Sequence, residues 1–132
     1  MLLLDTNALV WWTTDSRRLG RKAKSRIEGS WPNRISLCIA SWYELAALDG
    51  HRDIQFRTPV DRMRAQLLGA GLNEIDITGA AALDAAALRG LSRDPLDCMI
   101  VATARQNRAT LVTSDDRILD WNGDLDRLDA RR

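Results

Sequence analysis

Four carboxylates in this chain stand where chemistry could be done: Asp5, Glu44, Asp97 and Asp115. Asp5 follows Met1-Leu2-Leu3-Leu4, and Asp115 follows Ala109-Thr110-Leu111-Val112-Thr113-Ser114. Short apolar runs of this kind read as strands buried on both faces of a parallel sheet. Each acid would then sit at the carboxyl end of a strand, where open α/β sheets place their sites. Glu44 and Asp97 belong to helices instead. Glu44 interrupts a helix, about 39 to 49, that is apolar nearly all round, and shares a face with Ala40, Ser41, Ala47 and Leu48. Asp97 lies on one stripe with Ile100, Val101 and Ala104. An ionised acid on such a face costs on the order of several kcal/mol unless it is paired or binds a metal.

Each acid also has a purely structural reading. Asp5 can cap the helix that begins after it. Glu44 can form a salt bridge. Asp97 can close a capping box, but Asp94-Pro95 already reads as an N-cap followed by an N1 proline. That assigns Asp94 to the cap and Asp97 to the site. Asp116 competes with Asp115; the strand-end position favours Asp115 and leaves Asp116 as a solvent-facing helix cap.

Brought together, four carboxylates repel one another. The chain offers little to neutralise them, its only lysines being Lys22 and Lys24. Mg²⁺ or Mn²⁺ is the natural counter-charge for an all-oxygen site. Two such ions about 3.5–4 Å apart can stabilise both oxygens of an in-line displacement at phosphorus. The chemistry implied is phosphodiester hydrolysis.

Helices and strands must alternate to position these groups. Helical patterns fall at about 6–14, carrying Trp11 and Trp12, and at about 20–28, where Arg21, Lys22, Lys24 and Arg26 make a solvated basic face. A strand at 34–38 leads into the helix bearing Glu44. A polar connection over 50–57 holds the only histidine, His51, for which no catalytic partner set can be assembled. Thr58-Pro59 reads as N-cap and N1 of a helix reaching about Leu68. A strand at 72–77 and an Ala-rich helix, capped by Thr78 and reaching about Arg89, come before the Asp94-Pro95 helix. The strand at 109–113 follows, with an edge strand at 125–128 and an Arg-rich tail. The expected architecture is α/β, a three-layer α/β/α domain with a central, mainly parallel sheet.

Composition agrees with one compact domain over 1–132, being 45% hydrophobic with a net charge of +1. Seventeen of the nineteen basic residues are Arg, the side chain suited to bidentate phosphate contact. A GC-rich codon bias would produce the same excess. No apolar run is long enough to cross a membrane, and the four-residue apolar start, broken by Asp5 and lacking a basic leader, is not a signal peptide. Cys38 and Cys98 show no metal or redox spacing and read as buried thiols of a cytoplasmic protein.

The motifs Leu4-Asp5-Thr6-Asn7-Ala8-Leu9, a helical acid at Glu44, Arg93-Asp94-Pro95-Leu96-Asp97 with Ile100-Val101-Ala102-Thr103-Ala104, and Leu111-Val112-Thr113-Ser114-Asp115 together resemble PIN-domain ribonucleases. More narrowly they are similar to VapC-type toxins of bacterial toxin–antitoxin pairs, in order and over essentially the whole chain. The resemblance implies that Asp5, Glu44, Asp97 and Asp115 form the acidic quartet that binds Mg²⁺ or Mn²⁺, supported by Thr6, Asn7 and Thr113. It implies hydrolysis of RNA by a metal-activated water, with tRNA or another structured RNA as the expected substrate. It further implies a homodimer and a cognate VapB-type antitoxin that silences the enzyme. Trp11, Trp12 and Trp42 are candidates to line the antitoxin's groove, with core packing as the alternative. Relatives tend to read His-Arg-Asp-Pro-Phe-Asp-Arg in the third motif. Here Ser92, Leu96 and Cys98 replace the His, the Phe and the second Arg, while the acids of the motif are kept.

Other folds that gather acids fit less well. A phospho-acceptor receiver needs a late strand-end lysine, and no lysine follows Lys24. A dehalogenase-type phosphatase needs a second Asp where Asn7 stands. Neither GxxxxGK[ST] nor GxGxxG occurs. The alternative from another class is a catalytically silent PIN-like module that binds RNA or antitoxin without cutting.

Overall fold

The computed structural model describes residues 1–49, 56–88 and 90–132. His51 lies outside them, as does Arg89 at the expected end of the Ala-rich helix. Five strands, β1 (Leu2–Leu4), β2 (Ile35–Cys38), β3 (Asn73–Ile75), β4 (Thr110–Thr113) and β5 (Arg127–Asp129), form one sheet in the order β3-β2-β1-β4-β5. Every pairing is parallel. The sheet is therefore wholly parallel among the described residues.

Strands with helices on both faces have no solvent side, which explains the unbroken apolar runs. The pleat divides them. Leu3, Cys38 and Leu111 pack into one layer with the Ala-rich helix α5 (Gly79–Ala87) and with α6 (Pro95–Gln106). Leu2, Leu4, Ile35, Leu37 and Val112 point into the other layer. There they meet α1 (Thr6–Thr13), α2 (Arg21–Ser30) and α4 (Val60–Ala70). Helix α3 (Ile39–Asp49) leaves β2 directly and serves both layers, Ala40 joining the first and Trp42 and Leu45 the second. The short helix α7 (Asp116–Leu119) follows β4.

Some local expectations shift. Helix α4 starts at Val60 with Pro59 as its N-cap, so the proline does not occupy the first helical position. Helix α3 is not buried all round: Tyr43 is 66% and Leu48 40% exposed, while Ala40, Ser41, Trp42 and Leu45 are buried in the core and Ile39 packs against it. Trp42 is buried and donates its indole N–H to Glu74 Oε2 at 2.8 Å. It is a core residue rather than a groove wall, whereas Trp11 and Trp12 stay half-buried. The edge strand β5 begins at Arg127, two residues later than the apolar pattern suggests. No helix among the described residues is long and apolar enough to cross a membrane.

Strand order reverses at β1. The chain moves from β1 outward to β2 and β3, then returns to lay β4 on the opposite side of β1. Such a reversal opens a crevice at the carboxyl ends of the two strands involved, and Asp5 and Asp115 follow those ends.

Candidate active site

Asp5 caps α1, its Oδ1 accepting the Thr6 N–H at 2.8 Å. Its Oδ2 accepts the Thr113 hydroxyl at 2.7 Å, which ties the end of β1 to the end of β4. The capping and site readings of Asp5 are thus compatible, one oxygen serving each. The ladder itself continues to this point, since the Asp5 N–H donates to the Val112 carbonyl at 2.9 Å. Thr6 is buried, and its hydroxyl donates to Glu44 Oε1 at 2.8 Å while lying 2.9 Å from Ser41 Oγ. One hydroxyl proton cannot serve both neighbours, so the carboxylate takes it and Ser41 donates in turn. Asn7 is exposed, and no hydrogen bond among the described residues ties it to the acids.

The third motif folds as its dipeptide predicts. Asp94 caps α6, accepting the Leu96 N–H at 2.9 Å, with Pro95 in the first turn. Asp97 does not close a capping box. Ser92 takes that place: its Oγ accepts the Asp94 N–H at 3.1 Å and donates to Asp97 Oδ2 at 3.1 Å. The residue standing in for the usual His thus frees Asp97 from the helix end and aims it. Asp94 does more than cap, however. One oxygen each from Glu44, Asp94 and Asp97 lie within 4.8 Å of one another.

Asp115, and not Asp116, is the N-cap of α7, accepting the Arg117 N–H at 2.9 Å. Asp116 turns away and pairs with Arg131 at 2.7 Å. The expectation that the chain offers little to neutralise the acids, drawn from its two lysines, does not hold. Arg117 Nη2 lies 3.1 Å from Asp115 Oδ2 and 3.4 Å from Asp97 Oδ2. A count of lysines overlooks it, because the cap turn swings this Arg back over the acid two residues before it.

The charges are coupled. Burial, with added repulsion from Asp5, Asp97 and Asp94, pushes Glu44 up to about 7 against the opposing Thr6 hydrogen bond. Burial likewise raises Asp5 and Asp97 above the usual carboxylate range, and Asp115 repels both. An acid raised on folding binds more protons in the folded than in the unfolded state, so stability falls as pH rises. For Glu44 the loss begins near its ordinary 4.5 and is complete above about 7. The melting temperature of the protein in EDTA is therefore expected to fall between about pH 5 and pH 8. A flat or rising profile would count against this coupling.

The donor set fits a hard divalent ion. The acids converging here all offer oxygen, and one oxygen each from Glu44, Asp94 and Asp97 lie within 4.8 Å of one another, on the scale of the roughly 4.2 Å between opposite ligands of Mg²⁺. A cation would relieve the repulsion that raises Glu44.

A family model described as PIN domain matches residues 2–122. The chain belongs to the PIN-domain family. This PIN domain is 34% identical over 118 residues to Ribonuclease VapC22 of Mycobacterium tuberculosis, covering 89% of this chain and 88% of that protein. A toxin–antitoxin complex from Klebsiella pneumoniae contains a chain that superposes with a TM-score of 0.66 at 24% identity, covering 98% of both chains. VapBC2 from Rickettsia felis, bound to a DNA fragment from its promoter, gives 0.68 at 17% identity and 96% of both. At these identities the two structures speak for the fold alone. They agree with the parallel sheet and its helical layers.

Proposed function

We infer that this PIN domain is an endoribonuclease toxin, hydrolysing RNA phosphodiester bonds and neutralised by a VapB-type antitoxin. The observation that carries this reading is the cluster of Glu44, Asp94 and Asp97, with Asp5 and Asp115, at the strand ends of the switch point, close enough to repel its charges. The family membership and the VapC22 relationship support it. The same four acids are the proposed catalytic and metal-binding residues, and Asp94 is added to them as a candidate ligand from the third motif. A bound Mg²⁺ or Mn²⁺ would supply charge neutralisation for the phosphate and a more acidic water. Thr6 and Thr113 orient Glu44 and Asp5 from behind, the hydrogen-bonded support that ligating carboxylates need. Asn7, exposed at the start of α1, is free to meet substrate.

The chain is proposed to act as a single domain over 1–132 in the cytoplasm, as a homodimer, on tRNA or another structured RNA. The test is incubation of antitoxin-free protein with total RNA and tRNA, in Mn²⁺ or in EDTA. Fragments with 5′-phosphate ends in Mn²⁺ alone are expected. RNA that stays bound but uncut in Mn²⁺ would establish the silent binding module instead.

A further inference from the structure

We propose that Arg117 is the site's own counter-ion: it occupies Asp97 and Asp115 while no metal is bound, and a cation can enter only as it leaves. The proposal rests on the metal-dependent reading above and adds a residue that sets metal affinity.

The guanidinium spans the gap between two elements. Asp97 comes from the first turn of α6 and Asp115 from the turn after β4, and Nη2 touches both, at 3.4 and 3.1 Å. Nε lies 3.3 Å from Asp115 Oδ1, which also accepts the Arg117 backbone N–H at 2.9 Å. Both Asp115 oxygens are therefore engaged by one residue. Asp97 Oδ2 is shared with Ser92.

The pairing is particular to Arg117. Arg105 pairs with Asp84, Arg127 donates to the carbonyls of Ile118, Trp121 and Gly123, and Arg131 pairs with Asp116 and Asp129. Among the described residues, Arg117 is the one cation whose ion pairs fall on the four acids. It also sits where it can leave. Its side chain is 58% exposed, while those of Asp97 and Asp115 are 16% and 23% exposed, so the cation lies on the solvent side of the acids.

Two cations competing for the same carboxylates are linked, and each weakens the other's binding by the same factor. A guanidinium holds a carboxylate at hydrogen-bond distance, whereas Mg²⁺ must reach about 2.1 Å. The fork already uses a lone pair on each Asp115 oxygen, and its positive charge repels a second cation placed within a few ångström on Asp115 or Asp97, so the two oppose each other.

The experiment is titration of the full-length, RNA-free chain with Mn²⁺, followed by calorimetry and by the paramagnetic signal of free Mn²⁺. Arg117→Gln is expected to bind on the order of tenfold tighter than the native protein. Arg117→Lys, which keeps the charge but loses the fork, should fall between them. Equal or weaker binding by the Gln variant overturns the proposal while leaving the nuclease reading intact. Failure of all three folded proteins to bind Mn²⁺ overturns both. Should the variants not fold, the Arg117 Nε–H resonance of the native protein provides the second test. Mg²⁺ is expected to shift it and speed its exchange with water, and an unmoved resonance would refute displacement.

Discussion

Replacing Asp97 by Asn is expected to lower metal-dependent RNA cleavage by about a thousandfold or more while leaving the fold intact. The two halves of this expectation have different causes. Cleavage falls because a neutral amide removes one of the few anionic oxygens that could hold a cation against the scissile phosphate. Stability is preserved because Asp97 is raised by burial and by its acidic neighbours, so its charge is a burden on the metal-free protein. The Asn oxygen can still accept from Ser92, as Asp97 Oδ2 does at 3.1 Å. Only the charge of the ion pair with Arg117, whose Nη2 lies 3.4 Å from the same oxygen, is lost. A melting temperature within a few degrees of the native value, equal to or above it, is the expected companion result, since ΔΔG below about 1 kcal/mol shifts a domain of this size by roughly that much. Asp94→Asn belongs beside it. Cleavage that survives Asp97→Asn but not Asp94→Asn would transfer the ligand role to the capping acid, whose oxygen already lies in the Glu44 and Asp97 cluster.

The largest effect on stability is expected from Leu3→Ala. Leu3 is fully buried at the centre of β1, with Ser36 of β2 on one side and Leu111 of β4 on the other. It lies in the layer that holds α6, where Ile100, Val101 and Ala104 are all but inaccessible. Truncation removes the buried methyl groups and leaves a cavity that strands paired on both sides cannot close. The cost should be about 3–4 kcal/mol, or roughly 10–15 °C in melting temperature for a chain of this length. Leu83→Ala on α5 is the control. Leu83 is 78% exposed, so it should change stability by no more than about 0.5 kcal/mol. Urea unfolding of both variants measures the contrast, and similar losses would refute the assignment of the two side chains to core and surface.

Much of the fold is legible because its signals are local. Leu2–Leu4 and Leu111–Val112 have no polar face, and only a sheet covered on both sides accommodates that. Asp94-Pro95 starts a helix by backbone geometry alone, and the structure starts α6 there. Thr58-Pro59 shows the limit of such signals: the dipeptide is compatible with two cap registers, and packing of Val60 into the core selects the later one. Helix α3 shows another. Composition reveals that Tyr43 and Leu48 are apolar, but only the position of the sheet determines that they point outward.

The sequence by itself determined which residue types stand at the ends of buried strands and on apolar helix faces. An apolar run terminated by an acid carries that information within a few residues. Asp5, Glu44, Asp97 and Asp115 could be selected on that basis, and the helix–strand order implied a parallel sheet. Tertiary structure decided the remainder. Ser92 frees Asp97 from its cap, Thr113 reaches across 108 residues to Asp5, and Asp94 joins the cluster it was expected only to flank. Arg117 answers the acids' repulsion from within the chain. These are distances between groups far apart in sequence or turned by a cap, and spacing along a chain does not encode them. The reversal of strand order at β1 sets the ends of β1 and β4 side by side, and the helix starts bring the other groups to them.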